Sequence, residues 1–130
     1  MFEQRVVVHS SDLDERQHVN NVVYVRWVQD VAIAHWQAVA SQQDQSELAW
    51  VALRHEIDYV SPAFLGEEIV VRTWVGLAER LSFERLTEIR RAKDDTLLAN
   101  ARTLWCPVDA RSGRPKRVSA AIRALFSTER

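Results

Sequence analysis

The chain has 130 residues, 47% hydrophobic and 27% charged, with a formal net charge of -1 at pH 7. That length gives one core and one domain over residues 1–130, and the composition excludes disorder. The near-balance of charge argues against nucleic-acid binding, and the single cysteine, Cys106, excludes an internal disulfide and a cysteine-based metal site.

Val6-Val7-Val8 sits in a β-branched stretch, about Gln4 to His9, that reads as a first strand. From Asn21 to about Ala40 there is neither glycine nor proline, and Tyr24, Trp27/Val28, Val31, His35 and Ala38 recur at helical spacing. The other side of this helix carries Val25, Ala32, Ala34 and Trp36, so it should be wrapped by something. Asn20 or Asn21 is its N-cap, and Ser41 to Glu47 reads as a polar loop. Trp50 to Tyr59 then reads as a strand, Ser61 to Glu68 as a turn with Pro62 and Gly66, and Ile69 to Val75 as a β-branched strand. Gly76 to Arg80 turns the chain into Leu81–Arg91, where Phe83, Thr87 and Ile89 alternate with Glu84, Leu86, Glu88 and Arg90. Ala92 to Thr96 is a hairpin turn, Leu97 to Val108 a last strand stopped at Pro107, and Asp109 to Arg117 a polar connector. Val118 to Phe126 fits a short amphipathic helix. Consecutive hairpins favour an antiparallel sheet, and a helix without a polar face wants that sheet curled around it. The class is therefore α+β.

The N-terminus lacks a charged segment followed by a long apolar one, so no signal peptide is expected. No window approaches the roughly 18 apolar residues of a membrane span, and a cytoplasmic location is the expectation.

Between the first strand and the helix stands "DLDERQHVNNVVYVRW", Asp12 to Trp27. It gathers two carboxylates, an imidazole and two amides ahead of an apolar run. A helix N-terminus offers free backbone N–H groups and the positive end of a dipole, which hold an oxyanion or polarise a carbonyl. A carboxylate beside it is a nucleophile or a base for water, and an imidazole orients an acyl group or moves a proton. These parts suit acyl transfer to water. Phosphoryl chemistry is disfavoured by the lack of any glycine-rich phosphate loop. The competing reading makes Asp12, Asp14 and Asn20 side-chain caps of the loop and helix start.

The stretch resembles the D-x-D-x-x-x-H-V-N-N-x-x-Y signature of hotdog-fold acyl thioesterases. The closest forms are bacterial long-chain acyl-CoA and plant acyl-ACP thioesterases, and the 4-hydroxybenzoyl-CoA enzymes are more distant. "IDYVSPAFLGEEI", Ile57 to Ile69, and "DARSGRPKRVSAAIRALF", from Asp109 to Phe126, resemble later segments of the same family. The resemblance implies a hotdog fold: a curled five-stranded antiparallel sheet around a long central helix, with a short C-terminal helix. It implies hydrolysis of an acyl-CoA or acyl-ACP thioester, no cofactor, and a homodimer or homotetramer with the site at the subunit interface. Asp14, second of the D-x-D pair, matches the catalytic carboxylate, and His18 the histidine that holds or polarises the acyl group. The backbone N–H near Asn21 matches the family's oxyanion donor. Ser61 is positioned to put a hydroxyl opposite the aspartate, and Tyr24 is either core or acyl pocket. Arg16 stands where plant enzymes have asparagine, and their downstream Glu-Cys pair is not evident in "YVSPAF", Tyr59 to Phe64. The alternative is a non-catalytic acyl-thioester-binding module of the same fold, for which Arg16 is the best support. A hotdog dehydratase would need an H-F-P-G type of signature, which is missing.

Elsewhere, His9, His35 and His55 are scattered without metal-ligand spacing. "RSGRPKR", Arg111 to Arg117, is either a solvated turn or a contact for the phosphates of CoA or a carrier arm. Glu84–Arg85, Glu88 and Arg90–Arg91 read as cross-strand charge pairs on a solvated face, and Cys106 as a small hydrophobe.

Overall fold

A computed structural model of the chain describes residues 1–79 and 81–127, so Arg80, the last residue of the expected turn, lies outside the described residues. The strands are β1 (Phe2–Val7), β2 (Leu48–Tyr59), β3 (Glu68–Ala78), β4 (Phe83–Arg91) and β5 (Leu97–Asp109). They form one antiparallel sheet in the order β1-β3-β4-β5-β2, with β1 and β2 at its edges. The long helix α1 (Asn21–Val39) packs on one face of that sheet, and α3 (Ala120–Ser127) closes the far end. Asn20 is the N-cap of α1, its side-chain oxygen accepting from the Val22 N–H at 3.1 Å.

Three local differences from the sequence reading have physical causes. The polar segment after α1 is a short helix, α2 (Gln42–Glu47), because the Ser41 hydroxyl accepts from the Asp44 N–H at 3.1 Å and starts a turn. β5 runs through Pro107 to Asp109. Beyond Trp105 it has left β4 behind, and the Pro107 carbonyl accepts from the Lys116 N–H instead, so its missing N–H falls outside the β2 ladder. The sheet also covers only one side of α1. Val23, Tyr24, Trp27, Val28, Val31, Ala32, His35 and Trp36 are buried, while Val22 and Ile33 on the opposite face are 72% and 50% exposed.

The core divides along α1. Around its first half Val23, Trp27, Val28 and Val31 pack on Val8, Ile69, Val71, Ile89 and Leu98. Around its second half Ala32 and Trp36 pack with Leu48, Val75, Phe83, Trp105, Val118 and Phe126. Arg85 overturns its expected solvated placement. It shares the buried parity of β4 with Phe83, Thr87 and Ile89, and is 5% exposed. Its guanidinium donates to His35 Nδ1 at 2.9 Å and Thr73 Oγ1 at 3.2 Å. Its neighbour Glu84 pairs instead with Arg102 across the β4–β5 ladder, and Glu88 with Arg90 at 3.0 Å on its own strand. Among the described residues no helix is long and apolar enough to cross a membrane.

Candidate active site

The segment ahead of α1 is a tight turn held by its own side chains. Asp12, only 4% exposed, accepts from the His9 N–H at 2.9 Å and pairs with Arg26 of α1 at 2.8 Å. Burial alone would raise the Asp12 carboxyl, but the His9 N–H and the Arg26 guanidinium outweigh it and hold it below the ordinary range. Leu13 and Val19 then bridge antiparallel, and the loop between them folds back on Asp14. Asp14 Oδ1 accepts from the N–H groups of Arg16 at 2.9 Å and His18 at 3.1 Å. Gln17 takes the left-handed conformation, φ +62°, that closes such a turn. The Asn20 N–H donates to the Asp12 carbonyl and the Val19 N–H to the Ala63 carbonyl, which ties the turn to the segment after β2.

The two aspartates therefore do different things. Asp12 is a buried structural clasp. Asp14 is half-buried, uses one oxygen to cap the turn, and leaves Oδ2 without a hydrogen-bond partner among the described residues. Oδ2 is the oxygen with chemistry to spare.

Asp14, His18, Asn21, Tyr24 and Ser61 all line one open pocket of about 410 Å³. The His18 ring stands edge-on to Phe64 at 5.2 Å. The Asn21 N–H, first of α1, takes no hydrogen bond among the described residues, while its carbonyl accepts from the Tyr59 hydroxyl at 3.2 Å. Tyr24 is buried edge-on between Trp27 and Tyr59, and burial pushes its hydroxyl pKa up, only partly offset by the Ala63 backbone. Ser61 is fixed through its N–H on the Leu98 carbonyl at 3.1 Å, with its hydroxyl unengaged. A carboxylate oxygen, a free helix-start N–H and an imidazole around one opening can activate a nucleophile and receive an oxyanion.

Sequence reasoning passed over Tyr59, which also lines this pocket. Its signal was its place at the end of β2, two residues before Ser61 in the segment already compared with the family. The basic run from Arg111 to Arg117 is exposed apart from half-buried Lys116 and lines no part of this pocket. Among the described residues no group of three or more His, Cys, Asp or Glu is placed to hold a metal ion.

A sequence model of the thioesterase-like superfamily matches residues 8–126. The chain belongs to that superfamily. Its curled sheet and helix are those of the hotdog fold, shared with a 1,4-dihydroxy-2-naphthoyl-CoA thioesterase from Synechocystis at a TM-score of 0.83, 18% identity, and coverage of 97% of this chain and 95% of that one. A thioesterase from Thermus thermophilus, solved with coenzyme A and Zn, superposes at 0.85 with 25% identity over 98% and 92% of the two chains. A Staphylococcus aureus protein solved in complex with CoA superposes at 0.85 with 15% identity over 98% and 82%. No curated protein matches the sequence.

Proposed function

We propose that this superfamily member hydrolyses acyl-CoA or acyl-ACP thioesters, with Asp14 as general base or nucleophile. The observation that carries the reading is the free Asp14 Oδ2 in the same pocket as the unpaired Asn21 N–H and the His18 ring. As a base, Asp14 takes a proton from water while the oxygen attacks the thioester carbonyl. The oxyanion gathers on the Asn21 N–H, with His18 polarising or holding the acyl group. Collapse breaks the C–S bond, and the thiolate leaves with the proton Asp14 had accepted. As a nucleophile, Asp14 would form a mixed anhydride, expel the thiolate, and be released by water. Tyr24 and Ser61 line the substrate's side of the pocket in this reading.

The CoA bound by the Thermus and Staphylococcus proteins supports CoA over a carrier protein as the thiol partner. A cytoplasmic location fits the single cysteine. A homodimer or homotetramer fits the sheet's edge: β2 is a 12-residue edge strand with Val51 and Leu53 47% and 61% exposed, an arrangement that invites pairing with a second copy. Light scattering at assay concentration should return at least twice the 15.0 kDa monomer mass, and a monomer would overturn the assembly.

The deciding assay is thiol release from a panel of acyl-CoAs and acyl-ACPs. Turnover by the wild type that survives Asp14→Asn would overturn the assignment of Asp14. The binding-module alternative draws on the double use of Asp14 Oδ1 as a turn cap. Tight thioester binding without thiol release would establish it in place of the hydrolase. Label from ¹⁸O water found on Asp14 after a single turnover would establish the nucleophilic route, with water attacking the aspartyl carbon of the anhydride.

A further inference from the structure

At the other end of α1 lies a partly open apolar pocket of about 200 Å³ between the helix, the sheet and α3. It shares no lining residue with the Asp14 pocket. From Asn21 to Trp36 the helix rises about 22 Å, at 1.5 Å per residue, so the two spaces stand near opposite ends of the element. The walls are aromatic: Trp36, Trp50, Phe83, Trp105 and Phe126.

One charged group borders this space. Arg85 is 5% exposed and lines it, with Phe126 of α3 over its guanidinium at 5.6 Å. Its partners are His35 Nδ1 and Thr73 Oγ1, both neutral, and among the described residues it has no carboxylate partner. Burial and the Arg85 charge push the His35 pKa down to about 4, so His35 is uncharged near neutral pH and adds no counter-charge. Burial lowers Arg85 itself only to about 10, which leaves it cationic. A buried charge without an opposite partner is costly, and protein interiors rarely hold one.

Trp50 and Trp105 also line the space, and their indole N–H groups are buried without a hydrogen-bond partner, which makes their signals reporters of the site. Both are donors and nothing else. The polar edge of the space thus contains a cation, with the rest of its lining apolar or aromatic. Its chemical complement is an apolar body ending in an anionic acceptor. The size limits that body, since a dry cavity of roughly 150 Å³ in another protein takes one benzene ring.

We propose that this space is a binding site for a small aryl carboxylate, its ring held among Trp36, Phe83 and Phe126 and its carboxylate on Arg85. The site is independent of Asp14. Binding supplies Arg85 with the charge partner it lacks.

The test is a titration of the ¹⁵N-labelled full chain followed by NMR at the indole N–H signals of Trp50 and Trp105, assigned with Trp50→Phe and Trp105→Phe. Benzoate, neutral benzyl alcohol and cationic benzylamine are the probes. Benzoate should shift both signals saturably, with benzyl alcohol weaker by roughly tenfold or more and benzylamine inert, as expected when a charge pair is lost in a desolvated site. Arg85→Lys should retain binding, Arg85→Met should weaken it to the level of benzyl alcohol, and Ala32→Leu should block it by filling the space. Equal affinity for benzoate and benzyl alcohol in the wild type would overturn the proposal even if Arg85→Met failed to fold. So would unchanged benzoate affinity in Arg85→Met, or a titration that moves neither indole signal. Thiol release is not a readout here, so loss of the hydrolase reading would leave this result standing.

Discussion

The two ends of α1 solve opposite problems. At its N-terminal end the helix interior is closed by Val8, Ile69, Val71, Ile89 and Leu98, and the polar groups sit outside on a hydrogen-bonded turn. At its C-terminal end the aromatic packing leaves a void, and the polar groups, Arg85, His35, Thr73 and Thr87, are inside. The first arrangement keeps charge accessible, because Asp14 is half-buried yet open to a pocket. The second makes charge costly, because Arg85 has only neutral hydrogen-bond partners. Substitutions at the first end should therefore change chemistry more than stability, and those at the second end the reverse.

The largest expected effect separates the two aspartates. Asp14→Asn should lower thioester turnover roughly 10²- to 10⁴-fold, the usual worth of a positioned base, or about 3–5 kcal/mol of barrier. Its Oδ1 remains as a turn cap, so the urea midpoint should move by less than about 1 kcal/mol. Asp12→Asn is the mirror case. It weakens a pair with Arg26, whose side chain is 55% exposed and free to rehydrate, so about 1–2 kcal/mol of stability should go while Asp14 is untouched. If both variants lose stability and activity in proportion, the division between clasp and reactive carboxylate fails.

The next effect belongs to the other end. His35 is fully buried, and its pKa is lowered from 6.5 to about 4 by desolvation first, then by Arg85 and the N-terminal ammonium. The unfolded chain therefore binds the extra proton at a higher pH than the native one does. Native stability is complete above about pH 6.5 and should fall as the pH drops towards 4, by up to about 3 kcal/mol. His55, also lowered by burial, contributes in the same sense, whereas Asp12, lowered from 3.8, acts only below that window. Unfolding in urea from pH 7 to 4 should show the slope, and His35→Gln should remove most of it.

The same contrast explains what the sequence made legible. Asp14, His18, Asn21 and Tyr24 lie within eleven consecutive positions, so one turn and one helix start bring them together and their spacing is visible in a line of text. Ser61 needed the resemblance, since it reaches the pocket through the Leu98 and Ala63 backbone contacts. The Arg85 cluster joins α1, β3 and β4, positions 35, 73 and 85, and no local pattern announces it. The alternation of β4 already put Arg85 on the side of Phe83, Thr87 and Ile89. The general preference of arginine for solvent overrode that parity in the reading, whereas the fold keeps the parity and gives Arg85 the His35 of α1 as a partner. The short α2 was missed for a humbler reason: one serine cap is enough to turn six polar residues into a helix.

Packing gives a smaller and sharper comparison. Ala32 borders the void and Val28, one turn earlier, is fully buried in the closed half. Val28→Leu adds a methylene where there is no room and should cost about 1–3 kcal/mol. Ala32→Leu grows into empty space and should change stability by less than about 1 kcal/mol, with gain as acceptable an outcome as loss. Equal destabilisation by the two, read from thermal melts, would mean that the two halves are packed alike.

The smallest effect tests the cap beside the Asn21 N–H. Asn20→Ala removes the acceptor of the Val22 N–H at 3.1 Å, and such a loss costs about 0.5–2 kcal/mol. Asn20 is exposed, so water recovers part of that bond and the figure should sit at the low end, about 0.5–1 kcal/mol in the urea midpoint at constant m. Ser41→Ala removes the analogous cap of α2, a helix with no buried residue, and should cost less still, because α2 can fray without uncovering core. In α1 the first turn is anchored by Val23 and Tyr24 below it and by the Val23 N–H on the Asn20 carbonyl, so the helix start survives the substitution. What changes is the freedom of the turn that carries the unpaired Asn21 N–H beside the pocket. Asn20→Ala should therefore lower kcat by more than it raises KM, since the oxyanion exists only in the transition state. A rise in KM alone would assign that N–H to ground-state binding and leave the oxyanion to another donor.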